Sequence, residues 1–434
     1  MGSQRRVSVG SVLRVRSFLA LSIGQTISQF GDRLNHMALI ALVSEMMAGS
    51  TFKFSKLMIF VTIPGLIFGP VSGVFVDRLN KKKVLIFVDV MRAALVLLIP
   101  LVFSRYISPF MSPSQASHVV FGVVFLVFSA GLFYSPAKLA LIPNVIARRK
   151  LLMAGSVATF SARASTVIGA VAGGMIVGYL GWRISFFLDS LTYVFSAAML
   201  LLVTYRPAVR SEEDIVVSPP PEERGGFEAA LRESKKIFLE VWEGLKFAFT
   251  HKVTVFAFAT AIALALAGGS VYVLVIVLVK EELGKGMEGL GTLIGSVGIG
   301  MILGSIIVGR FGHATTQRRL MLTGLAIFGA LIVIFARMKS LVLMNALACL
   351  AGVSLSPVLI CLDALLQKSV PDQFRGRVFS ARDSLLNGGV LISSVLVGLV
   401  AENLNKATTL TFVGIALIII VAVIRHFSKG LEEG

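Results

Sequence analysis

The chain has 434 residues, of which 56% are hydrophobic and only 15% are charged, whereas a soluble domain is about one quarter charged. Its net charge of +18 would indicate nucleic-acid binding in a soluble protein. The apolar residues, however, fall in runs of about 20, the length that crosses a hydrocarbon core. The composition therefore excludes an ordinary soluble protein and predicts an integral membrane protein.

Twelve apolar runs predict twelve transmembrane helices, and hence an all-α membrane protein. The first six runs cover residues 17–46, 57–76, 84–103, 117–137, 152–180 and 183–204. The last six cover residues 253–279, 289–311, 320–337, 340–363, 379–400 and 407–425.

The basic residues predict the orientation of these helices. Of the 41 Lys and Arg residues, most lie in both tails and in the even-numbered loops, and few lie in the odd-numbered loops. Basic loops stay on the cytoplasmic side of a membrane. We therefore expect both termini to be cytoplasmic, and we assign the positive charge to topology, not to nucleic-acid binding.

A polar segment separates six predicted helices from the other six. The predicted parts are a cytoplasmic tail (1–16), a six-helix bundle (17–204), a cytoplasmic linker (205–252), a second six-helix bundle (253–425) and a cytoplasmic tail (426–434). Between Phe227 and Phe249 the apolar residues recur at helical spacing. An amphipathic helix on the membrane surface and a solvated linker both fit this segment.

The two halves share sequence features at a constant offset of six helices. Phe160–Ser165 in the fifth run resembles Phe379–Ser384 in the eleventh. Likewise, Gly73–Arg78 after the second run resembles Ser305–Arg310 at the end of the eighth. The shared offset predicts two pseudo-symmetric bundles, which would hold a substrate site at their interface near the bilayer midplane.

The first run carries a polar stripe, formed by Gln25, Gln29, Asp32, Arg33 and His36. Unpaired polar groups that face lipid cost several kcal/mol, so the stripe must face a water-filled cavity or other helices. A substrate cavity and a buried structural cluster are both open interpretations. Asp32 and His36 are four residues apart and could carry a coupling proton, although the adjacent Arg33 would hold Asp32 ionised.

Three further polar residues in later runs are candidates for the same cavity: Arg163, Asp383 and Asn387. Charged groups inside a membrane are functional hypotheses by default, but Asp383 could instead belong to an ion pair of a gate. Asp189 and Asp363 lie toward the ends of their runs, and we interpret both as structural.

Glycines spaced four residues apart predict close helix packing in several runs. The clearest examples are Gly65, Gly69 and Gly73 in the second run and Gly300 with Gly304 in the eighth.

The stretch from Gly73 to Lys83 resembles the loop signature of the major facilitator superfamily. It departs from that signature at Asn80, where glycine is usual, and at Lys81, where arginine is usual. Ile27–Asp32 and Ser135–Lys138 are similar to the macrolide-efflux and siderophore-exporter branch. Parts of the same stretches also resemble the bacterial lysophospholipid transporter.

This resemblance implies alternating access driven by an ion gradient. It also implies a cytoplasmic gate motif, formed by Gly73, Asp77, Arg78, Asp89 and Arg92. Exporters of this kind often carry Gly-Pro in the fifth helix, whereas Gly169 is followed here by Ala170. That departure leaves the direction of transport open.

We therefore expect a secondary transporter of the inner membrane that exports a small amphipathic molecule in exchange for protons. The alternatives are a lysophospholipid transporter and a non-transporting receptor or scaffold. Neither a phosphate-binding loop nor a metal-ligand pair occurs in the sequence, so we expect no enzyme, cofactor or metal site. Arg33 and Arg163 favour an anionic or zwitterionic substrate. We expect the protein to act as a monomer.

Overall fold

The computed structural model of the chain is helical throughout most of the residues that it describes, which are 8–47, 50–204, 242, 246, 250–284, 286–311 and 316–428. Of the predicted amphipathic helix at 227–249, only residues 242 and 246 fall within these ranges, and both are helical. The rest of that prediction lies outside the described residues.

Six helices precede the linker. They are α1 (Val9–Leu13), α2 (Arg16–Met46), α3 (Phe52–Asp77), α4 (Lys81–Val102), α5 (Pro113–Val145) and α6 (Leu151–Leu201). Short 3-10 turns at Ser108–Phe110 and Arg148–Lys150 precede α5 and α6.

Six more helices follow the linker in the described residues. They are α7 (Lys252–Val277), α8 (Met287–Phe311), α9 (Gln317–Phe335), α10 (Leu341–Ser369), α11 (Asp372–Asn403) and α12 (Lys406–Phe427). The chain continues from α7 into a short π-helix at Leu278–Glu282.

Local sequence explains where several of these helices begin. Asn80 caps α4, because its side-chain oxygen accepts a hydrogen bond from the backbone N–H of Lys83 at 3.1 Å. The departure from glycine at position 80 thus supplies a favourable N-cap residue. Ser112 and Gln115 form a capping box at the start of α5, ahead of a proline at its first position, which also favours helix initiation.

Ten helices in the described part of the chain are long and apolar enough to cross a membrane. α2 is not among the ten, although it has 31 residues. α6 counts once, although it has 51 residues, a length of about 76 Å at 1.5 Å per residue. Gly181 interrupts α6 with φ 80° and ψ 165°, which divides it into two segments.

α5 is longer than the sequence predicts. The fourth apolar run ends at residue 137, which places Lys138 among the charges of a cytoplasmic loop. In the structure the helix continues to Val145 and includes Lys138. The reason is that Leu141 and Ile142 are buried beyond the lysine, and the tertiary packing of these residues extends the helix past the apolar run.

The described chain forms two compact units. The first comprises the described residues within 1–38 and 63–237, and the second comprises the described residues within 39–62 and 238–434. The first unit contains a buried apolar cluster to which all six helices α1 to α6 contribute, with Phe18, Val76, Leu85 and Leu141 among its members.

In the second unit, α8 and α10 pack closely through small residues. A Cβ atom at Gly300 would overlap the carbonyl oxygen of Cys349, and one at Gly352 would overlap that of Val297. The close packing predicted for the eighth run is thereby confirmed. At Gly65, by contrast, a Cβ atom would have no described atom within 4 Å, so the packing prediction is not supported there.

Candidate functional site

The polar stripe of α2 faces a cavity of about 330 Å³ within the first unit. All five residues predicted from the stripe line this cavity, namely Gln25, Gln29, Asp32, Arg33 and His36. α4 contributes Arg92, α5 contributes Tyr134 and Lys138, and α6 contributes Tyr193. The polar groups that would be costly in lipid therefore surround a shared space.

Asp32 is held by two partners from different helices. Arg92 donates a hydrogen bond from Nη2 to Oδ1 of Asp32 at 2.6 Å, forming an ion pair. The hydroxyl of Tyr193 donates to the same oxygen at 2.5 Å. The Arg92 guanidinium also lies 4.4 Å from the centre of the Tyr193 ring, a favourable cation–π geometry. These contacts hold the carboxylate of Asp32 in place and connect α2 to α4 and α6.

A second hydrogen bond ties α2 to α6 beside this ion pair. Asn35 donates from Nδ2 to Oδ2 of Asp189 at 2.6 Å, and the Asp189 side chain is fully buried. The two helices approach closely here, because a Cβ atom at Gly31 would overlap Thr192 and Asp189. This hydrogen bond between helices fits the interpretation of Asp189 as a structural residue. Asp189 lies one helical turn from Tyr193.

Several buried polar atoms at or beside the ion pair lack a hydrogen-bond partner among the described residues. They are Oε1 of Gln29, both carboxyl oxygens of Asp89, Nε of Arg92, and the hydroxyls of Tyr134 and Ser196. Ser196 neighbours both Asp89 and Tyr134, but their oxygens do not reach hydrogen-bonding geometry. Gln29, Arg92 and Tyr134 line the adjoining cavity, whereas Asp89 and Ser196 do not. Buried polar atoms are normally paired with protein, water or ligand, so the unpaired atoms of these three lining residues are suited to contact a molecule in the cavity.

Sequence reasoning misses three residues of this site. It assigns Lys138 to a loop and gives Tyr134 no role, and Tyr193 carries no signal that separates it from the aromatic residues of an apolar helix. The signal for Tyr134 and Lys138 is that both belong to the stretch 134–138, which resembles known transporters.

The structure does not bring the other three predicted cavity residues to this space. Arg163 lies exposed on α6, and Asp383 and Asn387 lie exposed on α11 in the second unit. Arg382 donates to Asp383 at 2.7 Å and also pairs with Asp363. This arrangement fits the alternative of an ion-pair cluster for Asp383, and the transport role of all three residues stays a prediction.

The predicted gate motif is spread over two places. Gly73 lies in α3 and Arg78 follows that helix, while the side chain of Asp77 is outside the described residues. Asp89 and Arg92 lie on α4, and Arg92 pairs with Asp32 in the cavity. The structure therefore places Asp89 and Arg92 with the cavity residues, and their gating role stays a prediction.

The sequence profile described as "Transmembrane secretion effector" matches residues 8–432, which is nearly the whole chain. The chain belongs to this family of the major facilitator superfamily. It is 23% identical over 391 residues to the putative bacilysin exporter BacE of Bacillus subtilis strain 168, and the match covers 88% of each chain. This transporter family accounts for the apolar helices and for the absence of enzyme motifs from the sequence.

Solved structures support the fold. The chain superposes on a bacterial homologue of the iron transporter ferroportin with a TM-score of 0.67 and 16% identity, covering 96% of this chain and 100% of that one. It superposes equally well, with 14% identity, on a bacterial homologue of the lysosomal transporter Spinster, covering 98% of this chain and 97% of that one. Membership of this transporter family, together with the ten apolar helices, makes the protein a multi-pass membrane transporter of a small-molecule substrate.

Proposed function

We propose that this transporter is a proton-coupled exporter of a small amphipathic molecule, working by alternating access in the bacterial inner membrane. The observation that carries the proposal is the ion pair of Asp32 with Arg92 in the wall of a polar cavity. When a carboxylate paired with a guanidinium is protonated, it loses its charge and with it the attraction that holds the ion pair together. Protonation of Asp32 would release Arg92 and alter the contacts between α2, α4 and α6.

The number of helices supports twelve membrane crossings in this proposal. The ten apolar helices include α6 as one, but its length of about 76 Å exceeds a bilayer core of about 30 Å more than twofold. The break at Gly181 allows α6 to cross twice. α2 is excluded from the ten by its polar stripe, and a helix that shields its polar face in a cavity can cross as well.

The amphipathic character of the substrate is supported by a second cavity. This cavity of about 180 Å³ lies within the second unit. Among its lining residues only Tyr272 carries a polar side-chain atom, and the others include Leu293, Phe328 and Leu331. A space of this kind accommodates a ring or a short alkyl chain, since apolar cavities of about 150 Å³ bind benzene. Export as the direction is supported by the exporter among its relatives.

A transport assay with proteoliposomes tests the proposal. The purified protein would be offered macrolides, a siderophore and lysophosphatidylglycerol, each with and without an imposed proton gradient. We expect gradient-dependent movement of at least one compound and its loss in Asp32→Asn. Glu288→Gln is the matched control, because Glu288 lies in the first turn of α8 in the second unit, outside the cavity lining and the Asp383 ion-pair cluster, and should retain transport.

Two results would count against the proposal. If Asp32→Asn retains gradient-driven transport, Asp32 does not couple the proton. If lysophosphatidylglycerol is the substrate moved, and it moves inward, the lysophospholipid transporter is the correct alternative.

A further inference from the structure

The lining of the polar cavity carries more positive than negative charge. Its one acidic residue is Asp32, its Lys and Arg residues are Arg33, Arg92 and Lys138, and His36 also lines it. Arg92 is paired with Asp32. Within the described part of the chain, Arg33 and Lys138 have neither an ion-pair nor a hydrogen-bond partner. After the pair of Asp32 with Arg92 is accounted for, Arg33 and Lys138 remain as two positive charges among the lining residues, while the buried carboxyl groups of Asp89 and Asp189 lie near Arg92 outside the lining.

Lys138 is the less expected of these two residues. It lies seven residues before the end of α5 at Val145, which corresponds to about 10 Å along the helix. Its side chain is half-buried and lines the cavity instead of lying in a loop. Charges inside a membrane protein are costly unless they are paired or face water, and they mark substrate and ion pathways.

We propose that Arg33 and Lys138 bind an anionic group, a carboxylate or a phosphate, of the transported molecule. The inference rests on the proposed function, because it gives the substrate class of the same cavity. The substrate supplies the negative charge that the lining lacks. Arginine offers a planar pair of N–H donors to such a group, and lysine offers a compact ammonium charge.

The surroundings of the two basic residues suit an anionic group of amino-acid size. The cavity volume of about 330 Å³ is at the lower end of ligand pockets, which span about 300–1,000 Å³. The amide groups of Gln25 and Gln29 and the hydroxyl of Tyr134 line the same space. They can hydrogen-bond the remaining polar atoms of the group. A soluble carboxylic acid and the head group of an anionic lipid both fit this description.

A binding experiment on the full-length protein in nanodiscs of uncharged phosphatidylcholine tests the assignment. Two pairs of probes are used, and the two members of each pair differ in charge. Equilibrium dialysis measures the affinity of the protein for each probe. The soluble pair is N-octanoylglycine and N-octanoylglycinamide, and the lipid pair is lysophosphatidylglycerol and lysophosphatidylcholine. We expect the wild-type protein to bind the anionic member of at least one pair about tenfold more tightly, as a charge-assisted hydrogen bond provides. The pair that shows this preference identifies the source of the anion.

Three variants assign the preference to the cavity. Lys138→Gln should abolish it, and Lys138→Arg should retain it, which also shows that position 138 tolerates substitution. Arg149→Gln is the matched control, because Arg149 is an exposed basic residue of the same unit outside the cavity lining. It removes the same charge and should leave the preference unchanged.

The proposal is overturned if the wild-type protein shows no preference in either pair. It is also overturned if Lys138→Gln keeps the preference, or if Arg149→Gln lowers it as much as Lys138→Gln. These failures are distinguishable from failure of the proposed function. Gradient-driven transport that depends on Asp32 can persist without the anion preference, and the preference can persist without transport.

Discussion

The ion pair between Asp32 and Arg92 makes a quantitative prediction about stability. The two side chains differ in exposure, at 10% for Arg92 and 33% for Asp32. Removing one partner leaves the other charge without its counter-charge, and the penalty grows with the burial of the charge that remains. We therefore expect Asp32→Asn to destabilise the protein more than Arg92→Gln.

The magnitudes follow from the two environments. Removal of one partner from a buried pair costs about 3–5 kcal/mol. For Asp32→Asn we expect the lower value, about 3 kcal/mol, because Asp89 and Asp189 also lie near Arg92. For Arg92→Gln we expect about 1 kcal/mol for the partly exposed carboxylate and about 1 kcal/mol for the lost contact with the Tyr193 ring.

The double variant separates the pair from the individual side chains. With both charges removed, neither member of the pair is left without its counter-charge, so the double variant should cost about 2 kcal/mol, which is less than the sum of the single variants. Unfolding would be followed by circular dichroism during titration of mixed micelles with a denaturing detergent. Asp363→Asn serves as the control, since an exposed ion pair contributes only about 0–1 kcal/mol and the Asp363 side chain is 53% exposed.

Two outcomes would refute this reasoning. Additivity of the single variants to within about 0.5 kcal/mol would show that Asp32 and Arg92 do not interact in the folded protein. A cost for Asp32→Asn no larger than that for Asp363→Asn would show that burial of the pair has no energetic consequence.

Three further predictions concern the fold and the topology. Gly300→Ala should lower the free energy of unfolding by about 1–3 kcal/mol, because the added methyl group overpacks against Cys349. Gly65→Ala should be neutral or stabilising in the same unfolding assay. Equal effects of the two substitutions would contradict the close packing of α8 against α10. Gly181→Ala should cost about 1–3 kcal/mol because its backbone region is nearly restricted to glycine, and a melting temperature no lower than that of the wild type would contradict this. Pro220→Cys in a cysteine-free background should react with a membrane-impermeant reagent only from the cytoplasmic side. Labelling from outside the cell would contradict the predicted topology.

The membrane class and the polar stripe of α2 could be predicted from the sequence because both are local properties. An apolar run of about 20 residues specifies a transmembrane helix by its length alone. The spacing of Gln25, Gln29, Asp32 and His36 places them on one helical face regardless of what packs against it. Local periodicity therefore predicts that this face meets a polar environment, and the structure supplies the cavity.

The partners of the stripe required the tertiary structure. Arg92 is 60 residues from Asp32, Tyr193 is 161 residues from it, and Asp189 is 154 residues from Asn35. No periodicity within a helix relates positions that far apart. The sequence presents Arg92 as part of a gate motif, and only the contact of α4 with α2 reveals it as the partner of Asp32.

Lys138 shows most clearly the difference between what the sequence determines and what the tertiary structure determines. An apolar run ends where hydropathy falls, so the sequence by itself determined that position 138 is a polar end of the fourth run. A helix ends where its packing and hydrogen bonds end, and α5 continues to Val145 because Leu141 and Ile142 are buried. Tertiary packing thus moved one positive charge from a predicted loop into the cavity wall, where it bears on the choice of substrate.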